Sequence, residues 1–281
     1  CMQMAPNVDT CNLACTYCWR EPHSETLNKV DTDPEMLFYE SVRAHRRLLT
    51  GFKGHPSVPL EKWQEAQNPK HVAISLNGEP TLYSRLAEFL DICHQHGVST
   101  FLVTNGSLPK VIEDLDTLPT QLYISVDAPN KEIFDRLCKP KYDNNAWEKL
   151  EQTLELLPSL DTRTVCRHTL IKHESLGHVE DYARLDNIAD PMFIEAKGYV
   201  YVGKSRNNLS IENMPSHPEI MEFSEQLAPL VGREVLSDRR ESRVALIGKE
   251  MNPVVLPPQV REFPKDLGIA KPPPKFSLPT L

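Results

Sequence analysis

Cys11, Cys15 and Cys18 stand in the frame Cys-x3-Cys-x2-Cys, with an aromatic residue, Tyr17, directly before the last thiol. Three thiolates on one short loop can bind three irons of a [4Fe–4S] cluster and leave the fourth iron open to a small molecule. An open iron points to chemistry and not only to electron storage. No regular apolar period runs through 12–19, and Pro6 and Pro22 bracket it, so the segment reads as an ordered loop after a short strand.

Two other uses of cysteine fit less well. A structural zinc site is closed by four ligands, commonly from paired Cys-x2-Cys knuckles, and no second knuckle follows downstream. Disulfides are disfavoured by an odd count, 7, and by the scatter of Cys1, Cys93, Cys138 and Cys166 through periodic segments. Cys93, Cys138 and Cys166 are expected to pack as small hydrophobes without a ligand role. His94 and His96, near a helix end, are expected to be solvated.

Further on, Val72-Ala-Ile-Ser-Leu-Asn-Gly-Glu-Pro80 is an apolar strand that ends in a polar turn. Gly78 lets the backbone approach a ligand closely, and Glu79 supplies an acceptor for an ammonium group. Taken alone, Gly-Glu-Pro is equally an ordinary turn.

The elements that must position these residues follow from periodicity. A short strand at 1–4 precedes the cysteine loop; a helix over 34–49, with Asp33 near its cap, and a polar insertion over 51–69 come next. Strands are predicted at 71–76, 99–103, 121–126, 163–171 and 192–196, and helices at 84–96, 108–115, 131–137, 145–157 and 179–188. Short apolar strands separated by helices indicate a parallel sheet covered by helices, an α/β architecture. With 281 residues and 40% hydrophobic content, one such domain is the simpler reading over two small ones. In a barrel the carboxyl ends of the strands face the ligand. Those ends are polar here: Asn77, Gly78 and Glu79; Thr104, Asn105 and Gly106; Ser125 and Asp127; Lys172 and His173; Glu195 and Lys197. Glu195 and Lys197 flank an alanine and so share a face, where they either serve the site or form an ion pair.

The cysteine frame followed by the strand-end Asn77-Gly78-Glu79 resembles the radical S-adenosylmethionine (SAM) superfamily. The resemblance implies an open, partial (βα)6 TIM barrel and a cluster whose free iron chelates the amino and carboxylate groups of SAM. It places Asn77, Gly78 and Glu79 at the SAM amino group, with Pro80 beside them in the cofactor site. From their strand-end positions, Thr104 and Asn105 are expected to bond cofactor or substrate, although Asn-Gly is also an ordinary turn former, and Ser125 and Asp127 are expected to hold the ribose hydroxyls.

A narrower resemblance, to the tRNA 4-demethylwyosine synthase family in its short archaeal type, runs from Cys1 to about 247. It is carried by Cys1-Met-Gln-Met-Ala-Pro6, Cys18-Trp-Arg20, Ser75-Leu-Asn-Gly-Glu-Pro-Thr-Leu-Tyr83, Thr104-Asn-Gly-Ser107, Ser125-Val-Asp-Ala-Pro129, Glu195-Ala-Lys-Gly-Tyr199, Ser205-Arg206 and Asn213-Met-Pro215. It implies a carbon–carbon lyase that takes N1-methylguanosine 37 of tRNA(Phe) and closes the third ring with two carbons of pyruvate. The cofactor would perform the hard step: a 5′-deoxyadenosyl radical removes hydrogen from the N1-methyl group. It further implies a second [4Fe–4S] cluster, for which Cys1 stands at the right distance before Cys11, and a lysine upstream of Cys1 that forms an imine with pyruvate. A chain that opens on Cys with a clipped first strand suggests a missing N-terminal segment. With no flavodoxin-like domain in the sequence, an external electron donor is expected.

The catalytic domain is expected over 1–250 and a Pro-rich tail, unable to form helix or central strand, over 251–281. No apolar run approaches a membrane span and no signal segment precedes the first strand, so a cytoplasmic protein, monomeric, is expected. The net charge of −8 argues against nucleic-acid binding by the whole field but not by a local face. Candidate basic groups are Arg43, Arg46 and Arg47; Lys139 and Lys141; Lys197, Lys204 and Arg206; and Arg239, Arg240 and Arg243. Nucleotide 37 lies in the anticodon loop, where a base can be splayed out and stacked; Trp19, Tyr83 and Tyr199 are candidates for that stacking. The alternatives are a radical SAM enzyme acting on a peptide or glycyl site, and a noncatalytic iron–sulfur electron-transfer module; the latter gives no reason for an open iron beside Gly78 and Glu79.

Overall fold

Strands with an apolar residue at every second position can be covered by helices on one face while the other face carries chemistry. In the computed structural model, which describes residues 1–8, 10–20 and 31–263, six strands do this side by side and parallel: β1 (Met2–Met4), β2 (His71–Ile74), β3 (Ser99–Thr104), β4 (Gln121–Ser125), β5 (Arg163–Leu170) and β6 (Phe193–Gly198). Val72, Ile74, Leu102, Leu122, Ile124, Cys166, Ile194 and Ala196 are buried under the helices. The alternate positions, including Ser125, Arg167, Thr169, Glu195 and Lys197, are only partly covered and face the inside of the curved sheet.

The covering helices are α1 (Pro34–Leu49), α2 (Leu60–Ala66), α3 (Leu86–Gln95), α4 (Pro109–Glu113), α5 (Lys131–Leu137), α6 (Ala146–Leu156), α7 (Val179–Ala189) and α8 (His217–Leu230). Local caps start several of them: the Asp33 carboxylate accepts from the Met36 amide ahead of Pro34, and the Asn130 side chain accepts from Ile133. The expected helices and strands are all present, most with ends shifted by one or two residues.

Two parts of the fold go beyond the sequence reading. The polar insertion over 51–69 contains α2, whose Trp63 indole donates to the Leu49 carbonyl at 2.9 Å. After β6 the chain forms α8 and an antiparallel hairpin of β7 (Glu234–Arg239) and β8 (Val244–Gly248), with β8 antiparallel to β6, giving the order β1-β2-β3-β4-β5-β6-β8-β7. The start of α8 carries a full capping box, Ser216 with Glu219, beside Pro218, a signal present in the sequence.

The tail is docked as far as it is described. The Val260 and Arg261 amides both donate to the Gln95 carbonyl, at 2.8 and 2.7 Å, and Phe263 packs on Phe38 and His96. The expectation of an extended tail over 264–281 lies outside the described residues. No helix among the described residues is long and apolar enough to cross a membrane.

His96 and Tyr83 depart from expectation. His96 is buried, 2% exposed, because its ring stacks on Phe38 and bonds the Ile92 carbonyl, and His94 is half-buried with Nε2 2.9 Å from Thr100 Oγ1. Neither is solvated. Tyr83 is a core side chain whose hydroxyl donates to the Thr32 carbonyl, so it cannot stack on a base.

Candidate active site

The cysteine loop leaves β1 and is held from three directions. Against the end of α5, the Ala14 amide donates to the Cys138 and Lys139 carbonyls and the Thr16 amide to the Leu137 carbonyl, with Leu13 bridged to Pro140. From the β2 side, the Glu79 amide donates to the Thr10 carbonyl at 2.9 Å and the Asn7 side chain donates back to the Glu79 carbonyl at 2.6 Å. From the segment after β6, the Lys204 amide donates to the Trp19 carbonyl and the Asn208 side chain to the Thr16 carbonyl.

So held, Cys11, Cys15 and Cys18 line one cavity of about 570 Å³ at the carboxyl ends of the parallel strands. The other walls include Asn77, Gly78 and Glu79 after β2, Thr104 at the end of β3 with Asn105 after it, Ser125 at the end of β4 with Asp127 after it, Arg167 and Thr169 on β5, and Lys197 on β6 with Tyr199 after it. Among the described residues no group of three His, Cys, Asp or Glu side chains is placed to hold a single metal ion. Three thiols spread along one cavity wall suit instead a cluster that takes one sulfur per iron. Each thiol is pushed up from its usual range: Cys11 and Cys18 chiefly by burial, Cys15 first by its hydrogen bond with the Cys138 thiol and then by burial. Proton release would therefore accompany metal binding.

Gly78 is required, for a reason other than the one the sequence suggests. At φ +70° a Cβ there would lie 1.9 Å from the Asn7 carbonyl oxygen and 2.6 Å from that of Thr10. The close approach is to the cysteine loop itself. Glu79, 2% exposed, spends its carboxylate inside the protein: Oε1 accepts from the Thr81 amide, the Thr81 hydroxyl and the Thr104 hydroxyl, and Oε2 from the Asn105 amide. Burial still raises its pKa, against the lowering effect of those four donors. Asn77 and Gly78 also line the cavity, and their carbonyls accept no hydrogen bond among the described residues. Pro80 is buried and does not line the cavity. The Asn105 side chain donates to Asn12 and accepts from Ser107, tying β3 to the cysteine loop.

Asp127 is likewise engaged. The Tyr17 hydroxyl donates to its Oδ2 at 2.7 Å, and the Thr169 amide donates to its Oδ1 at 2.8 Å. Ser125 stays on the cavity wall. Glu195 is not partnered by Lys197. Its Oε1 lies 2.8 Å from Arg167 Nε, whose guanidinium also sits 4.8 Å from the Tyr123 ring, and Glu195 faces a smaller cavity of about 260 Å³ toward the amino ends of the strands. The contact is an ion pair in which Nε makes no hydrogen bond. Lys197 faces the main cavity with no acidic partner among the described residues.

Sequence reading missed Arg167, Thr169 and Cys138. Arg167 and Thr169 were findable, because they continue the inward period of β5. Cys138 had no local signal. It reaches the cavity wall beside Cys15 only through the pairing of the cysteine loop with the end of α5. Cys93 and Cys166 are core residues, and Cys1 is exposed at the head of β1.

At the rim, Trp19 is 48% exposed with the Arg20 guanidinium 3.7 Å from its ring, and Arg206 lies over Tyr201. Tyr199 is buried, its hydroxyl donating to Ser205. Arg43 and Arg46, by contrast, bond Glu40 and the 67–68 turn on the outside of α1.

The pattern of the radical SAM superfamily matches residues 8–185 and that of wyosine base formation residues 188–249. The chain is 44% identical over 257 residues, 89% of its length and 75% of the relative's, to the S-adenosyl-L-methionine-dependent tRNA 4-demethylwyosine synthase of Pyrococcus abyssi. It is similar to the solved structure of TYW1 with a lysine-pyruvate adduct bound, at TM-score 0.77 and 36% identity, covering 88% of this chain and 79% of that one. It is also similar to the crystal structure of archaeal TYW1, at TM-score 0.72 and 33% identity, covering 91% and 80%.

Proposed function

The chain belongs to the tRNA 4-demethylwyosine synthase family of the radical SAM superfamily, and from that membership we propose that it converts N1-methylguanosine 37 of tRNA(Phe) to 4-demethylwyosine with pyruvate as two-carbon donor. One observation carries the reading: the three thiols and the Asn77-Gly78-Glu79 turn, distant in sequence, line the same cavity at the strand ends. When bound, the cluster and SAM supply the reducing electron and the radical that removes hydrogen from the N1-methyl group.

The chain's own residues bind and orient. Cys11, Cys15 and Cys18 hold three irons. The Asn77 and Gly78 carbonyls accept from the SAM ammonium, while the Glu79 carboxylate locks the turn that presents them. Lys197, with Arg167 behind it, attracts a carboxylate, that of SAM or of pyruvate, and Ser125 meets a ribose hydroxyl. Asp127 orients Tyr17 rather than meeting a sugar. Trp19 and Arg20 form the stacking surface at the rim for an extruded base, with Arg206 toward phosphate.

Three further elements belong to this reading. Cys1, exposed with its thiol 3.6 Å from the Met2 carbonyl, is proposed as one ligand of a second [4Fe–4S] cluster. Pyruvate as donor is supported by the related structure that holds a lysine-pyruvate adduct. The protein is taken to work as a cytoplasmic monomer supplied by an external electron donor.

The test is an anaerobic assay of the cluster-reconstituted protein with dithionite, SAM, pyruvate and tRNA carrying N1-methylguanosine 37, with nucleosides read by mass spectrometry. The tricyclic base should form and should vanish in Cys15→Ala. Release of 5′-deoxyadenosine with unchanged tRNA would refute the substrate.

A further inference from the structure

A fourth thiol stands in the wall of the cluster cavity. Cys138, at the end of α5, is 2% exposed and lines the same cavity as Cys11, Cys15 and Cys18. The pairing of the cysteine loop with this segment, Ala14 to the Cys138 carbonyl at 3.1 Å and Thr16 to the Leu137 carbonyl at 2.8 Å, fixes the two cysteines across from each other. The Cys138 sulfur also lies 3.5 Å from the Tyr17 hydroxyl oxygen.

Proton accounting decides which group donates. The Tyr17 hydroxyl has one proton, and it goes to Asp127 Oδ2 at 2.7 Å. Cys138 must therefore be the donor in its own contacts. Its S–H can turn to the neutral Tyr17 oxygen or to the Cys15 sulfur; once that sulfur is an anionic metal ligand, it is the stronger acceptor.

We propose that Cys138 is a positioning residue for the cluster: its thiol donates a hydrogen bond to the Cys15 sulfur when Cys15 ligates iron, and thereby raises the cluster's reduction potential. Hydrogen bonds to cluster sulfurs stabilise the more negative, reduced state. Asp127 and Tyr17 serve the same end by leaving the Cys138 proton free for Cys15. The inference rests on the cluster reading above and not on the identity of the tRNA substrate.

The experiment is a dithionite-poised redox titration of the anaerobically reconstituted full chain, without tRNA or pyruvate, followed by the electron paramagnetic resonance signal of the reduced cluster. In Cys138→Ala the ratio of reduced to oxidised cluster at the wild-type midpoint should fall up to about tenfold, about 59 mV for a one-electron couple. Cys138→Ser keeps a donor and should sit close to wild type. A purely packing role predicts the reverse, with alanine mild and serine worse. Equal midpoints in all three proteins, or the same shift in Ala and Ser, would overturn the proposal. If the alanine variant takes up no iron, Cys138→Val carries the comparison. Loading of serine alone supports the donor, and loss of iron from all variants refutes it. A wild type that binds no cluster overturns the parent reading as well.

Discussion

Gly203 packs against Trp19 so closely that a Cβ would lie 2.0 Å from the Trp19 carbonyl oxygen, and it does so at φ +59°. The next amide, Lys204, donates to that same carbonyl at 3.0 Å. The segment after β6 is thus fitted onto the cysteine loop with no room for a side chain. Gly203→Ala should cost about 1–3 kcal/mol through backbone strain, with the collision added to it. Thermal melting should drop by several degrees and iron per chain after reconstitution should fall. An unchanged melt and full iron loading would show that the two segments do not depend on each other.

Glu79→Gln tests the carboxylate as a structural anchor. The amide oxygen can replace Oε1 for Thr81 and Thr104, but the NH2 group would then face the Asn105 amide donor. One buried donor left unpaired costs about 1–3 kcal/mol. The expected result is a lower melting temperature even in protein without cluster or SAM, read by circular dichroism. Stability equal to wild type with lost SAM binding would instead assign the carboxylate to the ligand.

Lys197→Ala should leave the fold intact, since its charge has no acidic partner among the described residues, and should weaken binding of a carboxylate ligand. Loss of a charge-assisted hydrogen bond, about 1.5–3 kcal/mol, corresponds to roughly 10- to 100-fold in affinity. Equilibrium binding of SAM and the KM for pyruvate separate the two carboxylates. Glu195→Ala is the contrasting variant, because it strips the anion from Arg167 and should lower stability first.

His96 gives the protein a pH-sensitive joint. Burial lowers its pKa, the Ile92 carbonyl raises it, and Arg261 and Glu35 act in opposite senses; Tyr39, Phe38 and Phe263 complete its surroundings. Because the folded ring stays neutral where the unfolded chain takes a proton, stability is present above the unfolded value of about 6.5 and falls as pH drops below it. The slope is at most about 1.4 kcal/mol per pH unit for one such group. His45, His71 and His94 are lowered by burial as well and add to the same slope. Buried His168, lowered by burial but raised on balance by Asp186, acts in the opposite sense, so the prediction is a difference: below about pH 6.5 the wild type should lose melting temperature relative to His96→Phe. An identical pH profile in the variant would remove His96 from the explanation.

What could be read from the sequence was what is local or periodic. The cysteine spacing, the polar ends of the strands and the alternation of strands with helices all lie within short windows, and they locate the cavity. The pairings were set by register, which short windows do not contain. Arg167 and Glu195 are direct partners across β5 and β6, so Glu195 meets an arginine and not the lysine two residues on. Gly78 yields to Asn7 and Thr10, and Cys138 comes to Cys15 through the Leu13 to Pro140 bridge. His96 and Tyr83 look like surface and rim residues until Phe38, Phe263 and Thr32 are packed over them.

The bond from Asn208 to the Thr16 carbonyl joins residues 192 positions apart. During synthesis, at about 5–20 residues per second, the cysteine loop would leave the ribosome roughly 10–40 s before the segment that fastens it. Its thiols are thus made well before one of the contacts that fastens their loop can form. A chain cut before Asn208 therefore lacks that fastening of the cysteine loop and keeps the contacts from the end of α5 and from the β2 side.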